Sequence, residues 1–166
     1  MTPRLRSPRE TLGGYVILPR LIDKIRLKSR GELPENYLPN LLRPLAPEIG
    51  FYPLDGRLLA FMEVDPSELE AAILRSSDDA SVLDWIDSHE RKRSESEKEE
   101  WRRSIEEAPV DETRTAHRKR TYPNLAHRPD IGELSPFDLI DLDEGRPIPL
   151  NPPGGGLPKG MEESRS

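Results

Sequence analysis

Arg20, Asp23, Lys24 and Arg26 crowd the end of the run LGGYVILPRLIDKIR, Leu12–Arg26. On a helix Arg20 and Lys24 are four residues apart, and Asp23 is three from both Arg20 and Arg26. That spacing sets a cationic pair beside an orienting carboxylate, which suits capture of a carboxylate or phosphate. It equally describes ordinary ion pairs on a solvated helix face, which add only a few tenths of a kcal/mol each.

A second group lies near the other end: Asp138, Asp141, Asp143 and Glu144. Asp138 and Asp141 stand one helical turn apart and could converge on a hard cation or a basic partner. No D-x-D-x-D-G loop and no H-E-x-x-H occurs, so the spacing favours pairing with Arg118–Arg120 or with the opening helix over a metal. Asp138 also suits the positive end of its own helix. No metal is assigned.

The remaining chemistry is sparse. His89, His117 and His127 match no zinc spacing and read as surface or capping residues. The basic stretch 114–128 with Tyr122 could stack and neutralise single-stranded nucleic acid, but one tyrosine in an acidic chain is thin support. There is no G-x-S-x-G, no Gly-rich phosphate loop and no dinucleotide fingerprint; the triple glycine at 154–156 opens no helix. Cysteine is absent, which excludes disulfides, thiolate nucleophiles and cysteine-held metals. No cofactor is expected, and whether the chain is an enzyme stays open.

Composition sets the frame for these groups. The 166 residues are 34% hydrophobic and 34% charged, with formal net charge -6, and the mean hydropathy is -0.73. A mildly acidic balance gives no general field for a phosphate backbone, so nucleic acid is an unlikely partner. Val16, Ile17 and Leu18 are interrupted at once by Pro19 and Arg20, too short for a signal peptide or a membrane span. The protein is expected to be soluble and cytoplasmic, with no membrane partner and an unknown oligomeric state.

Elements that would position the charges follow from local signals. Residues 1–11 read as an extended arm, with Gly13-Gly14 as a turn. Pro19 suits a first helical position, Leu18, Ile22, Ile25 and Ser29 share a face, and Gly31 stops the helix. Residues 32–53 hold five prolines and predict a loop packed over the core by Tyr37, Leu38, Leu41, Leu42, Leu45, Ile49, Phe51 and Tyr52. Asp55 predicts an N-cap for a helix through Leu58 and Met62. Asp65-Pro66-Ser67-Glu68 and Ser77-Asp78-Asp79 open the next two helices, and Ser94–Glu97 a third that Trp101 docks. A helix from Glu112 to about Arg120 follows, then one capped at Ser135 and docked by Phe137, Ile140 and Leu134. Residues 146–166 read as a disordered Pro/Gly-rich tail.

The opening run, L-G-G-x-x-x-L-P-R-x-I-D-K-x-R, resembles the signature of the bacterial domain of unknown function 5069 family. GFYPLDG at 50–56, VLDWI at 82–86 and DLIDLDEGR at 138–146 continue the resemblance across most of residues 7–146. It implies a small, mostly helical bacterial protein of uncharacterised activity and supplies no catalytic residue.

The reading is an all-α domain over 12–145, a compact bundle of five to seven short helices with a packed Pro-rich loop. Its expected role is a non-enzymatic binding or regulatory module. A charged cleft between the opening helix (Arg20, Asp23, Lys24, Arg26) and the acidic last helix (Asp138, Asp141, Asp143, Glu144) would take an unknown protein or a small anionic ligand. The alternative is a metal-dependent or acid/base enzyme using Asp138, Asp141 and Asp143.

Overall fold

The structure is a computed structural model and describes residues 5–149. By its internal contacts the chain divides into two compact units, Met1–Lys98 and Glu99–Ser166; the expected helical span 12–145 runs through both. Seven α-helices, three short 3-10 turns and one two-stranded sheet make up the regular structure among the described residues. The chain is therefore mostly helical, and the small sheet departs from an all-α architecture.

That sheet comes from Gly13-Gly14, whose φ angles of 59° and 85° are open to glycine and rare for other residues. Two positive-φ residues in a two-residue loop form the turn of a tight hairpin. β1 (Thr11–Leu12) thus pairs antiparallel with β2 (Tyr15–Val16), Thr11 facing Val16 and Leu12 facing Tyr15. Ahead of it, residues 5–10 carry no regular structure, yet Leu5 and Pro8 are buried.

α1 (Leu18–Ser29) carries Pro19 in its first turn, where the missing N–H has no intrahelical partner. Leu18, Ile22 and Ile25 are buried as their spacing predicts, while Ser29 is exposed at the helix end and donates to the Arg26 carbonyl. Gly31 closes the helix in a Schellman arrangement: its N–H donates to Lys28 O and that of Glu32 to Leu27 O. At the other end, Ile17 has φ 74°, a strained conformation for a β-branched residue. Burial holds it there, together with its N–H on Pro8 O and its carbonyl under Leu21 N–H, both 2.9 Å.

Residues 34–52 correct the expectation of a core-packed loop. Two 3-10 turns, Glu35–Asn40 and Pro47–Ile49, bury no side chain, and Leu38, Ile49 and Tyr52 are exposed. Prolines block a longer helix that could turn one apolar face inward. The loop is instead held by backbone contacts with the helix that follows it.

That helix, α2 (Leu54–Met62), begins after Pro53 without a side-chain cap, and Asp55 lies buried inside its first turn. The expected N-cap role for Asp55 is therefore wrong. α3 (Pro66–Arg75) and α4 (Asp79–His89) start as their sequences predict: Asp65 accepts from Glu68 N–H and Asp78 from Ser81 N–H. α1 packs on α3, and α3 on α4, with Leu21, Ile22, Leu69, Ile73 and Ile86 among the buried side chains.

α5 (Glu95–Glu106) has the expected reciprocal cap between Ser94 and Glu97, each N–H donating to the other's side chain at 3.1 Å. Its buried residues are Ile105 and Glu106, with Trp101 only half-buried. In the second unit α6 (Glu112–Thr121) is capped by Asp111 and buries only Arg118. α7 (Pro136–Asp143) carries a complete capping box between Ser135 and Asp138. Leu125, Ile131, Leu134 and Leu139 form the local core, with Ile148 packed against it. Leu139 takes the place expected for Ile140, which is half-buried. From Leu150 onward the expected disordered tail lies outside the described residues.

Candidate functional site

α1 places its charged side chains where other elements of the first unit can reach them. Lys24 Nζ lies 2.9 and 2.8 Å from the two carboxylate oxygens of Asp55, both side chains buried. Asp55 Oδ2 also accepts the backbone N–H of Leu42 at 3.0 Å, so one carboxylate joins α1, α2 and the Pro-rich loop. Gly56 makes this approach feasible, since a Cβ there would lie 2.5 Å from the Arg43 carbonyl oxygen.

Asp23 is chelated by Arg6, which donates its backbone N–H at 2.8 Å and its Nε and Nη2 at 3.0–3.3 Å. The same guanidinium reaches Asp79 through Nη1 at 2.5 Å, and Arg26 Nη1 meets Asp79 at 3.4 Å. Burial works against the Arg6 charge, but the bonds and attraction of Asp79 and Asp23 outweigh it and hold the guanidinium above its ordinary pKa. Arg26 Nη2 is buried with no hydrogen-bond partner, an arrangement that costs about 1–3 kcal/mol. Arg20 donates to the Arg6 carbonyl at 3.2 Å and stands over the Tyr37 ring at 5.8 Å from its centroid. Arg6 and Arg26 keep 32% and 27% of their side chains exposed, so this corner remains open to solvent.

Arg6, Asp55 and Asp79 were not among the sequence candidates. GFYPLDG drew attention to the neighbourhood of Asp55 without revealing its partner. Arg6 and Asp79 have no motif signal, because their contacts join residues 17 to 73 positions apart.

A second polar group missed by sequence lies at the hairpin. The fully buried Tyr15 donates its hydroxyl to Glu90 in a short hydrogen bond, and Lys98 Nζ lies 4.6 Å from its ring centroid. Lys98 also donates to Gly13 O at 2.7 Å. Burial first, and the Glu90 bond second, push the Tyr15 phenol up out of reach of neutral-pH ionisation; burial likewise raises Glu90. A phenol held protonated is no nucleophile. The cluster fastens the hairpin to α4 and α5.

In the second unit Asp138 is fully buried in its capping box, accepting Ser135 N–H at 2.9 Å. Asp141 and Glu144 both face Arg146, whose Nη1 lies 3.2 and 2.6 Å away. Asp143 is exposed. Among the described residues no group of three acidic or histidine side chains is placed to hold a metal ion, and Asp138 is committed to a helix terminus. His89, His117 and His127 are all exposed, His89 stacked on Trp85 with centroids 4.2 Å apart.

The family described as Domain of unknown function (DUF5069) matches residues 2–146. The chain belongs to that family. No curated protein matches it. Among the described residues no helix is long and apolar enough to cross a membrane.

Proposed function

We propose that the protein is a non-enzymatic binding or regulatory module whose α1 corner accepts a small anionic group. The observation that carries this is Arg26: its side chain is 27% exposed, Nη1 is held only loosely by Asp79, and Nη2 is buried without an acceptor. A carboxylate or phosphate offers the paired acceptors that a guanidinium fork takes. Arg6, whose guanidinium is taken by Asp23, Asp79 and the Pro19 carbonyl, fixes the Asp79 carboxylate beside Arg26. Asp23 and the Lys24–Asp55 pair hold α1 and the Arg6 segment in place around them. On α7 Asp143 is the exposed acid, while Glu144 is held by Arg146 at 2.6 Å.

Nothing in either charged group supplies a nucleophile with its base, which is why binding is preferred to catalysis. The test is thermal unfolding with inorganic phosphate and with citrate at constant ionic strength. A ligand that binds only the folded state raises its stability, so the melting temperature should rise for the wild type and not for Arg26→Gln. Equal curves with and without both anions would remove the proposal.

A further inference from the structure

Asp79 stands between two guanidinium groups and is shared unequally. Its Oδ2 accepts Arg6 Nη1 at 2.5 Å, while its Oδ1 lies 3.4 Å from both Arg6 Nη2 and Arg26 Nη1. A carboxylate gains most from two parallel bonds to a single fork. Asp79 is turned toward Arg6 in this way, and Arg26 receives one long contact at its edge. Arg26 Nη2 is left buried with no acceptor. The adjacent Asp78 is turned to its own helix, where it accepts Ser81 N–H at 2.9 Å.

Arg6 can hold Asp79 because its own segment is anchored. Leu5 and Pro8 are buried, Pro8 O accepts Ile17 N–H at 2.9 Å, and Arg20 donates to Arg6 O at 3.2 Å. Asp23 steadies the rest of the residue, taking its backbone N–H, Nε and Nη2. Among the described ion pairs Asp79 meets only Arg6 and Arg26. Without Arg6 the carboxylate is free to turn to Arg26, fill its fork and relieve the buried Nη2 of its missing bond.

We infer, resting on the anion role proposed above for Arg26, that Arg6 is a positioning residue for that site. By drawing Asp79 aside it keeps the Arg26 fork open to a phosphate or carboxylate. Docking of the segment 5–10 and anion affinity are then linked, each favouring the other. Release of the segment lets the protein's own carboxylate take the place of the ligand.

The full chain and its variants are unfolded thermally in inorganic phosphate, against chloride at equal ionic strength, with circular dichroism to check folding. The wild-type melting temperature should rise by a few degrees. Arg6→Gln should lose the rise although Arg26 is untouched. Arg6→Lys, which keeps a charge for Asp23 without the fork, should lose most of it. Arg6→Gln/Asp79→Asn should regain it, because the competing carboxylate is gone; a merely structural loss at Arg6 would not be repaired in this way. A second measurement needs no anion. The coupling of Arg26 with Asp79, from urea unfolding of Arg26→Gln, Asp79→Asn and the double variant, should grow about tenfold in folded-to-unfolded ratio in the Arg6→Gln background. The role of Arg6 is overturned by a wild-type rise that both single Arg6 variants keep, or by a double variant as flat as Arg6→Gln. Unchanged coupling overturns the sharing of Asp79. Flat wild-type curves beside an increased coupling would instead sink the anion role of Arg26 and leave the competition for Asp79 standing.

Discussion

Lys24 and Asp55, 31 residues apart, form a buried ion pair in which both carboxylate oxygens lie within 2.9 Å of the ammonium nitrogen. Breaking such a pair from one side strands a charge without water, which costs about 3–5 kcal/mol. Asp55→Ala should therefore destabilise strongly, the more so because Leu42 N–H also loses its acceptor. Lys24→Met combined with Asp55→Leu should be milder than the sum of the singles, since neither charge is then buried alone. Urea unfolding of the four proteins as a cycle reads the coupling directly; additive losses would show that the pair does not act as a unit.

Gly56→Ala places a methyl 2.5 Å from Arg43 O and 3.0 Å from Leu45 N, backbone atoms that cannot rotate away. The loop must lift, at a cost of about 1–3 kcal/mol. Gly31→Ala meets nothing within 4 Å, although its φ of +69° still strains a side chain. Limited proteolysis distinguishes the two: Gly56→Ala should speed cleavage within residues 34–52, and Gly31→Ala should not.

Glu63 ends α2 in the left-handed region at φ 55° and is exposed. Its ion pairs with Arg91 and Arg93 are 3.2 Å long and half or more open on the Glu63 side, so they add little. Glycine removes the left-handed penalty of about 1–2 kcal/mol but frees the unfolded chain. Glu63→Gly should gain about 0.5 kcal/mol net, whereas Glu63→Ala should gain nothing. Paired denaturation curves decide between them.

Acid should weaken the second unit through Asp130. The hydrogen bonds from Arg128, at 2.9 Å to each oxygen, hold its carboxyl below the usual range. Unfolded Asp130 therefore binds a proton at higher pH than folded Asp130, so its contribution is complete above about pH 4. It is lost as the pH falls through the depressed folded value. The pair is about one-third exposed, so the effect is a few tenths of a kcal/mol. Arg128→Gln should flatten the acid limb of a plot of melting temperature against pH.

The elements that were legible from sequence are those written within three or four residues. Asp65, Asp78, Ser94 and Ser135 cap helices because a short side chain reaches an N–H two or three positions on. Gly31 stops α1 because its conformation suits the left-handed end. Even so, local signals misled at Asp55, which has cap chemistry but lies inside its helix, and at the Pro-rich loop, whose apolar residues stay half-exposed.

The candidate site shows the same division. Sequence alone determined that Arg20, Asp23, Lys24 and Arg26 lie on one helix, that the chain is mostly helical, and that Asp138 stands at a helix start. Tertiary structure decided that Asp23 faces Arg6, that Lys24 faces Asp55, and that Arg118 rather than an apolar residue seats α6. Helical periodicity and capping are set by bonds along the backbone. The partner of a charge depends instead on which distant segments are packed beside it, and no spacing in the chain encodes that.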